Sequence, residues 1–272
     1  SAKPYIRLEV LKSRKAVVGY LYMILAMFFS SSSTLITNYT TSVLRLDSIH
    51  VNRLYLWMIP GFVVAAALCF WWFRLQCWRF RTLVFWGLFC FSAYLGLLYF
   101  GLTPGGTYEY LYLPMFFRGA GMMILFIAFG VFVVEDLDPK LMIYNAFFLI
   151  ACRSVLAPAL SSSFFSNTLY RLQQQSLHIL AEGVDLLNPL AASRYTSGLQ
   201  SALAEGHSLA DAQLLATNGL YTTLQVQSLL LSIKILAGST LLVAVVLMIV
   251  SRFIPFHKTL RVKAVKTGED MV

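Results

Sequence analysis

The chain has 272 residues, of which 58% are hydrophobic and only 12% are charged, and its mean hydropathy is +0.72. A soluble domain is about one-quarter charged, so this composition excludes a water-soluble enzyme, a disordered chain, a collagen-like repeat and a disulfide-stapled secreted domain. The formal net charge of +9 would suit nucleic acid, but the positions of the basic residues favour a membrane surface. The composition therefore predicts an all-α polytopic membrane protein.

Six apolar runs are long enough to cross the core of a bilayer, which requires about 20 residues of helix. They cover residues 16–36, 54–73, 83–102, 110–134, 141–169 and 229–250. Short connections join the first five runs to one another. The sequence thus predicts six transmembrane helices.

A long polar connection, residues 171–227, separates the fifth run from the sixth. Apolar residues recur in it at helical spacing, and Ser208 followed by Asp211 is typical of a helix N-cap. Two interpretations stay open, namely two amphipathic helices folded over one end of the bundle, or a partly ordered loop. The predicted organisation is a lead-in at 1–15, five membrane helices within 16–170, this loop at 171–227, a sixth helix at 228–252 and a basic tail at 253–272.

The basic residues are unequally shared between the two ends of the predicted bundle. Of the 21 lysines and arginines, 14 fall on the side of the two termini, 4 fall on the opposite side and 3 lie inside spans. Because short cytoplasmic loops collect lysine and arginine, both termini are predicted to be cytoplasmic and the long loop external. The basic tail also suits anionic lipid headgroups, so it does not require a nucleic-acid partner.

Catalysis at membrane depth requires a nucleophile, an acid–base group or a metal site there. All four histidines and all 12 carboxylates lie outside the predicted spans, and the four cysteines show no paired spacing. The sequence also lacks a Gly-x-Ser-x-Gly turn, a phosphate-binding glycine loop and a His-x-x-x-His pair. We therefore predict a protein that is not an enzyme, with no catalytic residue, no metal site and no cofactor.

Positive charge, in contrast, does lie at membrane depth. Arg118 is about 12 Å into the fourth run and Arg153 about 18 Å into the fifth, at 1.5 Å per residue. A guanidinium at such depth is costly unless it faces a partner or a wet cavity, so it marks a functional site by default. The alternative is a structural arginine bonded to backbone carbonyls or to a carboxylate. Lys234, close to the outer end of the sixth span, is expected to reach the interface.

Other polar and helix-breaking residues lie in the spans. Asn38 and Asn145 are candidates for a transport pathway, since a buried amide needs partners. Pro60-Gly61 and Pro158 are expected to bend the second and fifth helices because proline interrupts the helical hydrogen bonds. Such bends suit a rocking bundle, although static bundles also contain them.

Several sequence motifs resemble those of the major facilitator superfamily, and more narrowly those of the fourteen-helix drug:proton antiporters. Residues 4–15 are similar to that family's lead-in to its ninth helix, and Arg153 with Asn145 lies where its thirteenth helix carries an arginine. The remaining matching motifs are Ile59-Pro60-Gly61 for the tenth helix, and Leu113-Pro114 with Phe117-Arg118-Gly119-Ala120-Gly121 for the twelfth. The resemblance covers nearly the whole chain.

The resemblance implies the C-terminal half of a proton-coupled multidrug efflux transporter in the cytoplasmic (inner) membrane, working by alternating access. It implies a transport pathway near Arg118, Arg153 and Asn145. It also implies that helix bending and gating involve Pro60, Gly61, Gly119, Gly121 and Pro158. The implied partners are the missing N-terminal half, a small-molecule substrate, protons, a periplasmic adaptor protein and an outer-membrane channel. The proton-binding carboxylate would belong to the missing half.

One alternative from another class is a non-transporting membrane scaffold or subunit whose external loop binds a partner. An intramembrane enzyme with an unfamiliar site is a third reading, disfavoured by the positions of the histidines and carboxylates. The sequence leaves the substrate, the transport stoichiometry and the oligomeric state open.

Overall fold

The computed structural model describes residue 10 and residues 14–74, 80–134, 141–182 and 189–253. Most of the predicted lead-in and nearly all of the basic tail lie outside these described residues. Within them every regular element is helical, as expected. The α-helices are α1 (Arg14–Ser31), α2 (Ser33–Asn38), α3 (Ser48–Leu56), α4 (Met58–Arg74), α5 (Phe80–Gly101), α6 (Tyr112–Val134), α7 (Met142–Ile150), α8 (Ala157–Glu182), α9 (Pro189–Ala204) and α10 (Leu209–Phe253).

Six helical stretches among the described residues are long and apolar enough to cross a membrane, which confirms the predicted number of spans. They are Ala16–Val43, Ser48–Arg74, Phe80–Gly101, Tyr108–Val134, Tyr144–Glu182 and Leu209–Phe253. Each overlaps one of the predicted apolar runs, and most are longer because polar residues continue the helix beyond the hydrocarbon. The chain is therefore a multi-pass membrane protein.

Helix α6 lies at the centre of the bundle and packs against α1, α4 and α5, while α10 packs against α5 and α8. Small residues allow the closest of these contacts. A Cβ added to Gly61 would collide with the carbonyl oxygen of Phe116, and one added to Gly119 would collide with the backbone of Met58. Close approach of this kind brings the two backbones into van der Waals contact, which is a main source of helix association in a bilayer.

Two of the spans each contain one tighter turn, at which the backbone stays right-handed. In the first span the backbone N–H of Ser32 bonds to the carbonyl of Phe29, three residues back, at 3.3 Å. In the second span the tighter turn is at Trp57, between α3 and α4. Pro60 follows Trp57 by three residues, and a proline ring clashes with the carbonyl four residues before it, so this turn falls where proline disfavours α-helical bonding.

The fifth span changes its helical form within the membrane. Between α7 and α8 the segment Ala151–Leu156, which contains Arg153, is π-helical. Pro158 follows the end of this segment by two residues, at the second residue of α8. A second π-helical segment, Tyr39–Val43, ends the first span. Segments of this kind are uncommon and frequently occur at functional sites.

Hydrogen bonds between connections define one end of the bundle, which we call the distal end. The hydroxyl of Tyr39 donates to the carbonyl of Thr103 at 2.7 Å, and that of Tyr108 donates to the carbonyl of His50 at 2.6 Å. These bonds bring together the end of the first span, the start of the second, and the turn between the third and fourth. We call the opposite end, where α1 begins, the basal end.

The long connection between the fifth and sixth spans is mostly helical among its described residues, 171–182 and 189–227. Helix α9 makes its main contacts with α10. The interpretation of helices folded over the end of the bundle stays a prediction. Helix α8 continues to Glu182, and α10 runs unbroken for 45 residues, about 67 Å at 1.5 Å per residue. Since a bilayer core is about 30 Å thick, α10 extends well beyond it. Residues 209–253, which form α10, contain no proline that would stop the helix.

Helix α10 packs first along α9 and then along α8. We call residues 171–182, 189–204 and 209–227 the distal hairpin. Its helices meet through small side chains, because Gly198 lies against Ala216, and the hydroxyls of Ser176 and Ser232 are 3.3 Å apart at its base. A turn at Gly206, whose φ is +88°, joins α9 to α10.

The predicted N-cap at Ser208 is confirmed. Its hydroxyl accepts a hydrogen bond from the backbone N–H of Asp211 at 3.3 Å and donates to the Asp211 carboxylate at 2.6 Å. The cap fixes where α10 begins, so the length of the distal hairpin is set by a local sequence signal.

The close approach of α4 and α6 predicts a strong asymmetry between two glycine substitutions. Gly61→Ala should destabilise the folded protein by about 1–3 kcal/mol, because the new methyl group meets rigid backbone. Gly96→Ala in α5 meets nothing within 4 Å and should be neutral or stabilising by up to about 1 kcal/mol, since alanine is the better helix former. Thermal unfolding of the two variants in detergent checks this, and equal melting temperatures would contradict the described packing.

Candidate intramembrane site

Arg118 is buried in the bundle, with only 6% of its surface exposed. Its Nε donates to the carbonyl oxygen of Ser30 at 3.0 Å, and its Nη2 donates to the Ser30 hydroxyl at 3.2 Å. Its Nη1 lies 3.0 Å from the sulfur of Met58 and 3.9 Å from that of Met115. The ring of Tyr55 lies 5.6 Å from the guanidinium carbon. We call these five residues the Arg118 site.

Three spans position this site. Arg118 is on α6, one residue before the glycine that lets α4 approach, so α4 can present Met58 directly to the guanidinium. Ser30 is on α1, two residues before the tighter turn at Ser32. Next to the site, the hydroxyls of Ser32 and Tyr94 lie 3.2 Å apart, which extends the polar region from α1 to α5. The result is a polar cluster enclosed by apolar helices.

The guanidinium has no carboxylate partner within the described residues. Its hydrogen-bond acceptors are one carbonyl, one hydroxyl and two thioether sulfurs, all of them neutral. On the fourth span the nearest carboxylate in sequence is Glu109, which is exposed and precedes Arg118 by about 14 Å of helix. The sequence left open a structural arginine that is bonded to backbone carbonyls or to a carboxylate. The bond to a backbone carbonyl is present, but no carboxylate among the described residues neutralises the charge.

Arg153 lies apart from the Arg118 site. Its guanidinium carbon is 4.2 Å from the ring centroid of Phe126, a cation–π distance. Phe126 is eight residues beyond Arg118 on α6, about 12 Å towards the basal end. Arg153 is exposed on the surface of the bundle, as are Ser154, Ser162 and Ser163 on the same span. The structure therefore does not bring the two arginines into a single cluster.

The two candidate asparagines are engaged differently. Asn145 is 4% exposed, and its side-chain oxygen accepts a hydrogen bond from the hydroxyl of Tyr20 on α1. The Nδ2 of Asn38 donates to the carbonyl of Thr34 on its own helix at 2.8 Å, and its side chain is half-buried. Asn145 therefore links the first and fifth spans, whereas Asn38 makes only a local bond.

The predicted bending residues are located mainly at helix contacts. Gly61 and Gly119 form the α4–α6 contact, and Gly121 lies against the backbone of Gly87 and the ring of Phe91 on α5. Pro60 and Pro158 each adjoin an irregular turn of their span. Their part in gating stays a prediction.

Sequence reasoning did not single out the other members of the site. Met58, Met115 and Tyr55, and the neighbouring Tyr94, look like ordinary apolar span residues, and nothing in their spacing distinguishes them. Ser30 belongs to a run of four serines, residues 30–33, in which nothing sets it apart. Another member of this run contacts a different helix, since the hydroxyls of Ser31 and Ser161 lie 2.6 Å apart between α1 and α8.

In comparisons with known proteins, no protein-family model and no curated protein matches this chain.

Among the described residues, no group of three or more histidine, cysteine, aspartate and glutamate side chains is arranged to hold a metal ion. The chemistry open to the site is therefore that of a buried cation with neutral partners.

The bond between Tyr20 and Asn145 predicts a measurable coupling between α1 and the fifth span. In a double-mutant cycle of Tyr20→Phe and Asn145→Leu, we expect a coupling free energy near 0.6 kcal/mol and no larger than about 1.7 kcal/mol, as for other polar pairs in membrane bundles. Unfolding of the four proteins in detergent measures it. Strictly additive effects would contradict the bond. The same cycle with Thr196→Ala in place of Asn145→Leu serves as a control, since Thr196 is on α9.

Proposed function

We propose that the chain is the C-terminal six-helix half of a proton-coupled secondary transporter, of the major facilitator type, that exports drugs or other small amphipathic molecules by alternating access. The observation that carries this proposal is the uncompensated guanidinium of Arg118 at membrane depth. A charged side chain there costs about 2.5–3.5 kcal/mol on insertion scales and is retained mainly where substrates or ions pass. An inert bundle would have no use for it.

The irregular helices support the same proposal. Irregular turns within spanning helices are common in transporters, where they adjoin the binding site. Here the first span contains a tighter turn at Ser32, two residues from the Ser30 carbonyl that holds Arg118. The π-helical segment around Arg153 provides a second place where the helical bonding is irregular. Both are suited to switching between two packed arrangements.

The exposed face of the fifth span also supports an incomplete bundle. Arg153, Ser154, Ser162, Ser163 and Asn167 are all exposed there. Exposed apolar residues, including Val155 and Leu160, lie among them. Polar side chains at membrane depth are unfavourable against lipid, so under this proposal Arg153 and its polar neighbours line the central cavity opposite the missing N-terminal half. That half would also supply the proton-binding carboxylate, since no carboxylate of this chain falls within the apolar cores of its spans.

The proposed topology places the basal end, with both termini, in the cytoplasm of the inner membrane, because most lysines and arginines lie on that side. The distal hairpin then projects from the external face by roughly 30 Å, from the length of the 20 residues of α10 that precede its apolar run. In a double-membrane bacterium this hairpin is the proposed contact for a periplasmic adaptor protein and, through it, an outer-membrane channel.

One observation favours the second candidate, a membrane scaffold that does not transport. The distal hairpin exposes several large apolar side chains to its surroundings: Ile179, Leu203, Leu209, Leu214, Leu215 and Tyr221. Apolar groups clustered on an extramembrane surface commonly mark a protein–protein contact. A scaffold would need this surface but would not need Arg153 to be reachable from water.

Arg153→Ala in the complete protein tests the transport proposal. We expect efflux of exported compounds to be abolished, because a cation in the proposed cavity is lost, while membrane insertion stays normal. Efflux from loaded cells measures transport, and immunoblotting of membranes measures insertion. Lys234→Gln, which removes a cation from a span outside the proposed pathway, should leave efflux within about twofold of wild type. Retained efflux in Arg153→Ala would count against the proposal.

Labelling of Arg153→Cys separates the transporter from the scaffold. In a background without the four native cysteines, a membrane-impermeant maleimide should label this variant if a water-filled cavity reaches Arg153. Val246→Cys, which is exposed on α10 and faces lipid under this proposal, should stay unlabelled. If neither variant is labelled, the scaffold reading leads.

A further inference from the structure

We infer that the Arg118 site binds the anionic headgroup of an amphipathic organic molecule, so that organic anions with an apolar tail are the substrate class of the proposed transporter. This inference rests on the proposed function and deepens it.

The guanidinium is incompletely satisfied by its present partners. It carries five N–H donors, and its two good acceptors, the carbonyl and the hydroxyl, both belong to Ser30. The other contacts of Arg118 are to the sulfurs of Met58 and Met115, and a thioether is only a weak acceptor. An anionic oxygen in the place of these sulfurs would form charge-assisted bonds that are shorter and roughly twice as strong.

Among the described residues no carboxylate is placed to take this position. Asp47 is exposed and precedes Tyr55 by eight residues, about 12 Å of helix. Glu109 is exposed and precedes Arg118 by nine residues on the fourth span, about 14 Å of helix. In the sequence, all remaining carboxylates also lie outside the apolar cores of the spans. We therefore assign the anion to another molecule.

The surroundings of the guanidinium favour an anion with an apolar tail. Met58, Met115 and Met122 surround the polar groups, with the sulfur of Met122 lying 3.4 Å from the Ser30 hydroxyl. Methionine side chains are flexible and fill irregular spaces, so they can move aside for a ligand and then pack on its hydrocarbon. Tyr55 is exposed on its outer side, which leaves an edge from which a ligand can enter.

The local charge also predicts which molecules are rejected. The two arginines at depth, Arg118 and Arg153, are both positive, and a cationic headgroup at the Arg118 site would meet a like charge. Neutral molecules of the same length would gain the apolar contacts but not the charge-assisted bonds. The expected order of affinity is therefore anion, then neutral molecule, then cation.

Three radiolabelled probes of equal chain length test this order: decanoate, decanol and decyltrimethylammonium. Each is bound to the complete protein in phosphatidylcholine nanodiscs at neutral pH. We expect wild type to bind decanoate at least about tenfold more tightly than decanol, with decyltrimethylammonium weakest. This comparison uses wild-type protein, so it does not depend on whether a variant folds. Equal binding of the three probes, or a preference for the cation, would overturn the inference.

Substitution then assigns the preference to Arg118. Arg118→Gln should weaken decanoate binding by about 10- to 100-fold while leaving decanol binding unchanged. Arg118→Lys keeps the charge but loses the planar guanidinium, so its affinity for decanoate should lie between those of wild type and Arg118→Gln. Lys234→Gln is the matched control for loss of a cation elsewhere in the spans and should bind decanoate as wild type does. Unchanged decanoate binding in Arg118→Gln would place the anion site elsewhere and refute the assignment.

Two further outcomes separate this inference from the proposed function. If decanoate binds at Arg118 but no probe is transported in proteoliposomes, the anion site stands and the transport proposal fails. If the cationic probe is transported and Arg118→Gln does not affect it, transport stands and the inference fails.

A lipid headgroup could also be the anion that binds at Arg118. In that case decanoate binding would be lost in nanodiscs enriched in phosphatidylglycerol, and this would overturn the assignment to a transported substrate.

Discussion

The burial of the Arg118 guanidinium is the constraint on which the centre of this bundle depends. A charge at that depth must be surrounded by acceptors, and the acceptors come from two other spans, α1 through Ser30 and α4 through Met58. Both spans must approach α6 closely to reach it, which explains the glycines at the α4–α6 contact. The close packing of these helices and the hydrogen bonding of the guanidinium therefore depend on each other. If either changed alone, the cation would be exposed to hydrocarbon.

Irregular helix is concentrated where polar groups lie at membrane depth. The tighter turn at Ser32 adjoins the buried Arg118, and the π-helical segment Ala151–Leu156 contains Arg153, which is exposed. In a bilayer, backbone groups without intrahelical partners must be satisfied by protein or by water in a cavity. Irregular helix next to charged side chains is therefore one physical basis of the transport proposal.

The distal hairpin shows how a membrane helix can set the shape of the part outside the membrane. Because α10 has an N-cap at Ser208 and no proline along its length, it continues without a break from the apolar span into the polar region. Helix α9 packs along it through glycine and alanine, which bury little apolar surface. The larger apolar side chains stay outside this contact, and so the hairpin presents them outward.

The sequence alone determined the number of spans, the helical class, the cap of α10 and the two arginines at depth. These follow from composition and local pattern, because about 20 apolar residues, or a serine three residues before an aspartate, have the same meaning in any fold. The partners of Arg118 required the tertiary structure, since Ser30, Tyr55 and Met58 are far from it in sequence and carry no local signal. The separation of Arg118 from Arg153 was likewise decided by packing between helices, which depends on which faces meet and is not encoded in any single segment.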